Sequence, residues 1–134
     1  MKLQSKLTEE EYQIIKEKIR LGDEELEWEL VRNNETDEKV LHLLFDSEEE
    51  DIKRNLVLHP NVSDETLEEL SLDASVLVKK TFFMLPKIPD AALYYLSQDY
   101  DQMVYYKATK LVLQRDEYQL NTNQDNNTQN NPTI

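Results

Sequence analysis

The sequence predicts an all-α protein built as a short α-solenoid, a stack of about three and a half two-helix repeats behind an N-terminal capping helix. Two observations lead to this prediction: an internal repeat with a period of about 26 residues, and apolar residues spaced for one face of a helix within each copy. A third observation is compositional. The 134 residues include one Gly and four Pro, too few turn-forming residues for a β sandwich or barrel.

Two stretches of the chain match each other without a gap. Residues 52–73, IKRNLVLHPNVSDETLEELSLD, align with residues 78–99, VKKTFFMLPKIPDAALYYLSQD. A match of this extent exceeds what chance supplies and indicates a true internal repeat. The identical pairs are Lys53/Lys79, Pro60/Pro86, Asp64/Asp90, Leu67/Leu93, Leu70/Leu96, Ser71/Ser97 and Asp73/Asp99.

The repeat frame extends in both directions along the chain. Residues 26–47 keep its apolar skeleton without its prolines, and Val104 aligns with Val78 to open a half unit that lacks a second helix. We therefore predict repeats over about residues 26–113, within a single domain formed by residues 1–120.

Each unit is predicted to contain two short helices joined by a tight corner. Ile52 and Leu56 have the spacing of one helical face, and Leu67 and Leu70 have it again in the second half of the unit. Pro60 between them cannot continue a helix. Helices this short cannot bury their apolar side alone, so stacked neighbours must cover it.

The two ends of the chain differ from the repeats. Thr8 and Glu11 have the spacing of a capping box, and Gly22 is a C-terminal stop, so we predict a capping helix over residues 8–22. Residues 121–134 are rich in Asn and Gln and hold almost nothing apolar. They are predicted to form a disordered tail.

The units resemble the variant leucine-rich repeat. The resemblance implies a right-handed, HEAT-like α-solenoid that presents a binding surface. One member of that family carries a cysteine-bound iron–sulfur cluster, a feature that cannot transfer because this chain has no Cys. The period here is slightly longer than the family's, and Lys87 stands where the family favours Asn. The matching elements are Ile52-Lys53-Arg54, Leu56-Val57, Pro60-Asn61, Leu67-x-x-Leu70 and Asp73.

The negative charge of the chain is concentrated in its first half. Of a formal net charge of −13, residues 8–51 contribute −12, from 17 Asp or Glu and five Lys or Arg. This distribution disfavours direct binding to nucleic acid. A solvated acidic face is the ordinary interpretation. The alternative is a small acidic inhibitor that mimics nucleic acid in a basic groove of its target, using Glu24, Glu25, Glu27 and Glu29.

Sequence motifs give no support for an enzyme. The chain lacks Cys, a nucleophile elbow, an HxxEH motif and a glycine-rich phosphate loop. His42 is predicted to face outward, and His59 to have a structural role at a helix end. We expect no cofactor, no metal ion and no small-molecule substrate. Because no signal segment or long apolar run is evident, we also expect a cytoplasmic protein without a membrane segment.

Two further clusters suggest binding surfaces. The first contains two basic pairs at the same place in successive units, Lys53-Arg54 and Lys79-Lys80. These residues either form a ridge that binds phosphates or an acidic peptide, or pair with nearby carboxylates. The second cluster contains six of the seven tyrosines, between residues 94 and 118. Four of them align with charged residues of sister units, which predicts partial exposure; either a partner or the last helix covers them. These four are Tyr94, Tyr95, Tyr105 and Tyr106. The leading hypothesis is a non-enzymatic module that binds a protein partner through them.

Overall fold

Every regular element in the described part of the chain is a helix. The computed structural model describes the backbone of residues 7–130 and the side chains of residues 7–116. The prediction of an all-α protein is confirmed for these residues. The helices are α1 (Glu9–Arg20), α2 (Glu24–Arg32), α3 (Glu38–His42), α4 (Glu50–Val57), α5 (Asp64–Ser71), α6 (Val76–Thr81), α7 (Asp90–Leu96) and α8 (Gln102–Asn130), with a 3₁₀ turn at Phe82–Met84.

The helices begin at intervals that equal the period of the sequence repeat. α2, α4, α6 and α8 begin at residues 24, 50, 76 and 102, and α3, α5 and α7 begin at residues 38, 64 and 90. Every step in both series thus has the same length. Helices of one series also contact each other, since α4 packs against α2 and α6, α6 against α8, and α5 against α7.

The core is formed by the aligned apolar residues. Leu30, Leu56, Phe82 and Ala108 occupy one position of the repeat, within the first helix of a unit or, for Phe82, directly after it, and all four are fully buried. Because each short helix presents only one apolar stripe, its burial depends on the neighbouring helices. The second halves of the units bury two aligned sets, Leu41, Leu67 and Leu93, and Leu44, Leu70 and Leu96.

The N-terminal helix has the ends that the sequence predicts. The Thr8 hydroxyl accepts a hydrogen bond from the Glu11 amide at 3.1 Å, and the Glu11 carboxylate accepts one from the Thr8 amide at 3.3 Å. Gly22 follows the helix with φ of 84°, a conformation that favours glycine. α1 contacts both α2 and α3, the two helices that follow it.

The last helix is the longest. α8 contacts α6 and α7 and continues through the point at which the repeat period would place the start of another second helix. Its backbone reaches Asn130 and so includes residues 121–130 of the segment predicted to be disordered. Composition gives these residues almost nothing to bury, and the disorder of residues 121–134 stays a prediction. Residues 131–134 lie outside the described part of the chain.

Candidate functional site

Two cations of the basic ridge form ion pairs within their own units. The Lys53 ammonium lies 2.7 Å from Asp73 Oδ2, and the Lys79 ammonium lies 2.5 Å from Asp99 Oδ1. The four side chains are between 11% and 18% exposed. These are lysines and aspartates that are identical between the two copies of the repeat, so the pairing explains why they recur. The other ridge residues are Arg54, which is partly buried, and Lys80, which is exposed.

The same aspartates help to start the next unit. Asp73 Oδ1 accepts a hydrogen bond from the Ser75 amide at 2.8 Å, and Asp99 Oδ2 accepts one from the Asp101 amide at 2.9 Å. The Ser75 and Asp101 side chains in turn accept hydrogen bonds from the amides three residues further on, in the first turns of α6 and α8. Each aspartate therefore connects the first helix of its unit to the corner that leads into the next.

The first unit departs from this pattern. Glu27 stands in register with Lys53 and Lys79, and Ser47 stands in register with the aspartates. Glu27 is only 7% exposed, and no described residue donates a hydrogen bond to its Oε1. Ser47 is buried as well, and its hydroxyl accepts a hydrogen bond from the Glu49 amide at 3.2 Å. Among the described residues, the ion pair of the later units has no counterpart here.

The four glutamates predicted to form an acidic surface therefore do not share one environment. Glu24, Glu25 and Glu29 are exposed on α2, whereas Glu27 is buried. Residue type alone could not show this difference, because glutamate is rarely buried. The repeat register gives no signal either, because it aligns Glu27 with Lys53 and Lys79, whose partial burial is seen only in the structure.

Both histidines make contacts between neighbouring units. His59 is buried; its Nε2 donates to the Asn33 carbonyl at 2.8 Å, and its Nδ1 accepts from the Asn61 amide at 3.0 Å. This pattern requires the neutral ring with its proton on Nε2. His59 thus has the structural role that was predicted, although through hydrogen bonds rather than through charge at a helix end. His42 is partly buried instead of facing outward, and its Nδ1 lies 2.7 Å from Thr66 Oγ1.

Three of the four tyrosines predicted as protein-binding residues are more than half exposed. The exposed fractions are 60% for Tyr94, 52% for Tyr105 and 62% for Tyr106. Tyr95 is partly buried, and its ring meets that of Tyr94 edge-on with 5.7 Å between the centroids. The exposure that the repeat alignment predicts is observed at these three positions.

The structure places the four tyrosines on two helices. Tyr94 and Tyr95 lie on α7, and Tyr105 and Tyr106 lie on α8. No ring contact joins the two pairs within the described side chains. The tyrosines are thus two adjacent pairs on contacting helices and not a single aromatic cluster.

The last helix lies alongside α7, but Tyr94 remains exposed to solvent. Arg115 of α8 donates hydrogen bonds to the Asp90 carboxylate at 2.8 Å and to the Ile88 carbonyl at 2.6 Å, which fixes α8 to the start of α7. A groove of about 380 Å³ remains between the two helices. Leu93, Tyr94 and Val112 contribute to its walls.

Other classes of site find no support in the part of the chain that the structure describes. There, no three His, Asp or Glu residues are placed to hold a metal ion, and no helix has the length and apolar character needed to cross a membrane. Comparison with known protein families, curated proteins and solved structures finds no match. The basis for a functional proposal is therefore the exposure, charge and contacts described above.

Proposed function

We propose that the chain is a non-enzymatic protein-interaction module, a short α-solenoid that binds a protein partner through its Tyr-rich C-terminal units. The solenoid part of the proposal rests on the recurrence of helix starts at the period of the sequence repeat and on the contacts between corresponding helices. The resemblance to variant leucine-rich repeats points the same way. Folds of this kind host many activities, so the binding surface has to be argued from its own residues.

The observation that carries the proposed surface is the exposure of aromatic side chains near the C-terminal end of the repeats. Tyrosine offers a large apolar contact area with one polar group, and it is enriched where proteins meet. In this chain, tyrosines replace charged residues at surface positions of the repeat. Six large apolar side chains between residues 94 and 113 are exposed, namely Tyr94, Tyr100, Met103, Tyr105, Tyr106 and Leu113.

Replacing Tyr94, Tyr95, Tyr105 and Tyr106 with alanine is expected to weaken partner binding at least about tenfold, since buried aromatic anchors dominate interface energies. The measurement is a quantitative pull-down from the native host with tagged wild-type and variant chains. The recovered partner is then titrated against both purified chains.

A matched control replaces four exposed apolar residues elsewhere, Ile14, Leu58, Leu72 and Met84, with alanine. This control variant should bind the partner as the wild type does. Undiminished partner recovery by a folded quadruple tyrosine variant would show that the proposed surface is wrong.

A second candidate function is the acidic inhibitor that blocks a basic groove on its target. The observation that favours it is the exposure of Glu24, Glu25 and Glu29, none of which forms an ion pair with another described residue. Carboxylates that are free on one short helix are available to the lysines and arginines of a nucleic-acid-binding site.

Replacing Glu25 and Glu29 with lysine separates the two candidates. The inhibitor function predicts at least about a tenfold loss of target affinity, and a wild-type affinity that falls as salt is raised. The matched control carries lysine at Glu65 and Glu69, which are exposed and have the same spacing on α5. Equal affinity of both charge variants, independent of salt, would exclude the inhibitor.

A further inference from the structure

A strongly acidic pocket lies at the end of the repeats opposite to the tyrosines. Its volume is about 540 Å³, and it lies between the end of α1, the start of α2 and the segment that follows α3. Five carboxylates and one guanidinium line it, so its formal charge is −4. The charged lining residues are Arg20, Glu24, Glu27, Asp46, Glu48 and Glu49.

Glu27 distinguishes this pocket from a solvated acidic surface. Its side chain lines the pocket although the residue is only 7% exposed, and its Oε1 receives no hydrogen bond from any described residue. Buried polar atoms in folded proteins nearly always have a hydrogen-bond partner, and a buried charge requires a counter-charge. The arrangement therefore points to a cationic ligand.

The repeat register indicates the type of cation. In the second and third units, a lysine at the position of Glu27 reaches an aspartate at the position of Ser47. In the first unit this position is buried and holds the Glu27 carboxylate in place of a lysine ammonium. An ammonium or guanidinium on a side chain from outside would restore the ion pair with the charges exchanged.

A metal ion fits this site poorly. Hard cations such as Mg²⁺ and Ca²⁺ are held by several oxygen ligands close together. No three carboxylates within the described residues come close enough to hold a metal ion. A lysine or arginine side chain needs only one well-placed carboxylate, and the outer acidic residues would attract it.

The pocket's own cation is already engaged. Arg20 donates hydrogen bonds to both carboxylate oxygens of Glu17, at 2.6 Å and 2.9 Å, on the exposed surface of α1. This contact with Arg20 lowers the pKa of Glu17 below its usual value. Arg20 therefore lines the pocket but donates no hydrogen bond to the buried Glu27 Oε1.

We propose that this pocket binds a lysine or arginine side chain of a protein partner, with the cation paired to the Glu27 carboxylate. The inference rests on the proposed function in one respect, namely that the partner is a protein. It adds a second contact surface, at the other end of the repeats from the tyrosines.

The test uses the full chain and two small probes, N-acetyl-lysine N-methylamide and N-acetyl-arginine N-methylamide. Binding is followed by the NMR shifts of the Ser47 and Glu48 amides. We expect saturable shifts with at least one cationic probe and none with N-acetyl-norleucine N-methylamide, which lacks the charge. Glu27→Gln should weaken binding at least about tenfold, whereas Glu25→Gln, exposed and outside the pocket, should leave it unchanged.

A double variant, Glu27→Lys with Ser47→Asp, keeps the proposal testable if Glu27→Gln does not fold. It recreates the ion pair of the later units, so it should fold and lose probe binding. Probe binding that survives in either folded variant would overturn the proposal, as would equal binding of the norleucine probe. The double substitution Lys2→Gln with Lys6→Gln gives one more test. If it tightens binding of the cationic probes, the chain's own lysines are the occupants of the pocket, and the proposal is overturned.

The outcome is independent of the tyrosine surface. The quadruple tyrosine variant leaves the pocket intact and should bind the probes as the wild type does. If it also retains the partner while Glu27→Gln loses it, the tyrosine surface is wrong and the pocket stands. If Glu27→Gln retains both the probes and the partner, the pocket proposal fails by itself.

Discussion

Phe82→Ala is expected to lower the free energy of unfolding by about 4 kcal/mol, which is typical for truncating a fully buried phenylalanine. Phe82 has no exposed surface and is the largest of the fully buried side chains. It occupies the register that Leu30, Leu56 and Ala108 fill in the first helices of the other units, so its loss leaves a cavity between neighbouring units. Urea unfolding followed by circular dichroism measures the effect.

Met84→Ala is the matched control for this substitution. Met84 belongs to the same 3₁₀ turn but is mostly exposed, so its truncation should change stability by less than about 0.5 kcal/mol. Domains of this size have only about 5–15 kcal/mol of stability in total, and Phe82→Ala could leave the chain partly unfolded. Phe82→Leu, which retains most of the buried volume, then provides a graded comparison. A loss no greater than that of Met84→Ala would contradict the assigned packing.

The all-helical class and the buried apolar positions could be predicted because they depend on apolar spacing, which a single sequence displays directly. Their spacing predicts inward faces for Ile52, Leu56, Leu67 and Leu70, and all four are buried. The capping box at Thr8 could be predicted for a similar reason, since its hydrogen bonds join residues three apart in sequence. Local spacing determines such features, and the tertiary structure only has to be compatible with them.

Polar partners could not be predicted in the same way. Lys53 and Asp73 lie on different elements of their unit, far apart in sequence, and their contact depends on how the two helices of that unit pack. By sequence alone, each lysine fits a phosphate-binding ridge as well as an ion pair. The repeat contained a usable signal, because an exposed lysine has little reason to recur together with one particular aspartate.

The candidate sites show the same division between local and tertiary information. Exposure of Tyr94, Tyr105 and Tyr106 followed from their alignment with charged residues of sister units. Burial of Glu27 did not follow from its residue type, since the repeat register fixes which face a side chain occupies but not what fills the space next to it. The position of α8 beside α7 likewise depends on contacts between distant parts of the chain, such as that of Arg115 with the Ile88 carbonyl.

Asp99→Asn is expected to lower the free energy of unfolding by about 3 kcal/mol, because it leaves the Lys79 ammonium mostly buried without a counter-charge. The asparagine side chain can still accept the hydrogen bond from the Asp101 amide, so the corner into α8 is kept. Thermal and urea unfolding of wild type and variant measure the loss. Lys79→Met combined with Asp99→Asn should recover most of it, since the unpaired ammonium is then removed.

The chain provides its own control and its own replicate for this ion pair. Glu17→Gln removes an exposed pair with Arg20 and should have a far smaller effect, because exposed pairs contribute little. Asp73→Asn breaks the equivalent pair one unit earlier and should match Asp99→Asn in size. If Asp99→Asn costs no more than Glu17→Gln, the pairs do not stabilise the units. If both aspartate variants are equally destabilised, the pair is a property of the repeat, and introducing Lys at Glu27 with Asp at Ser47 should stabilise the first unit.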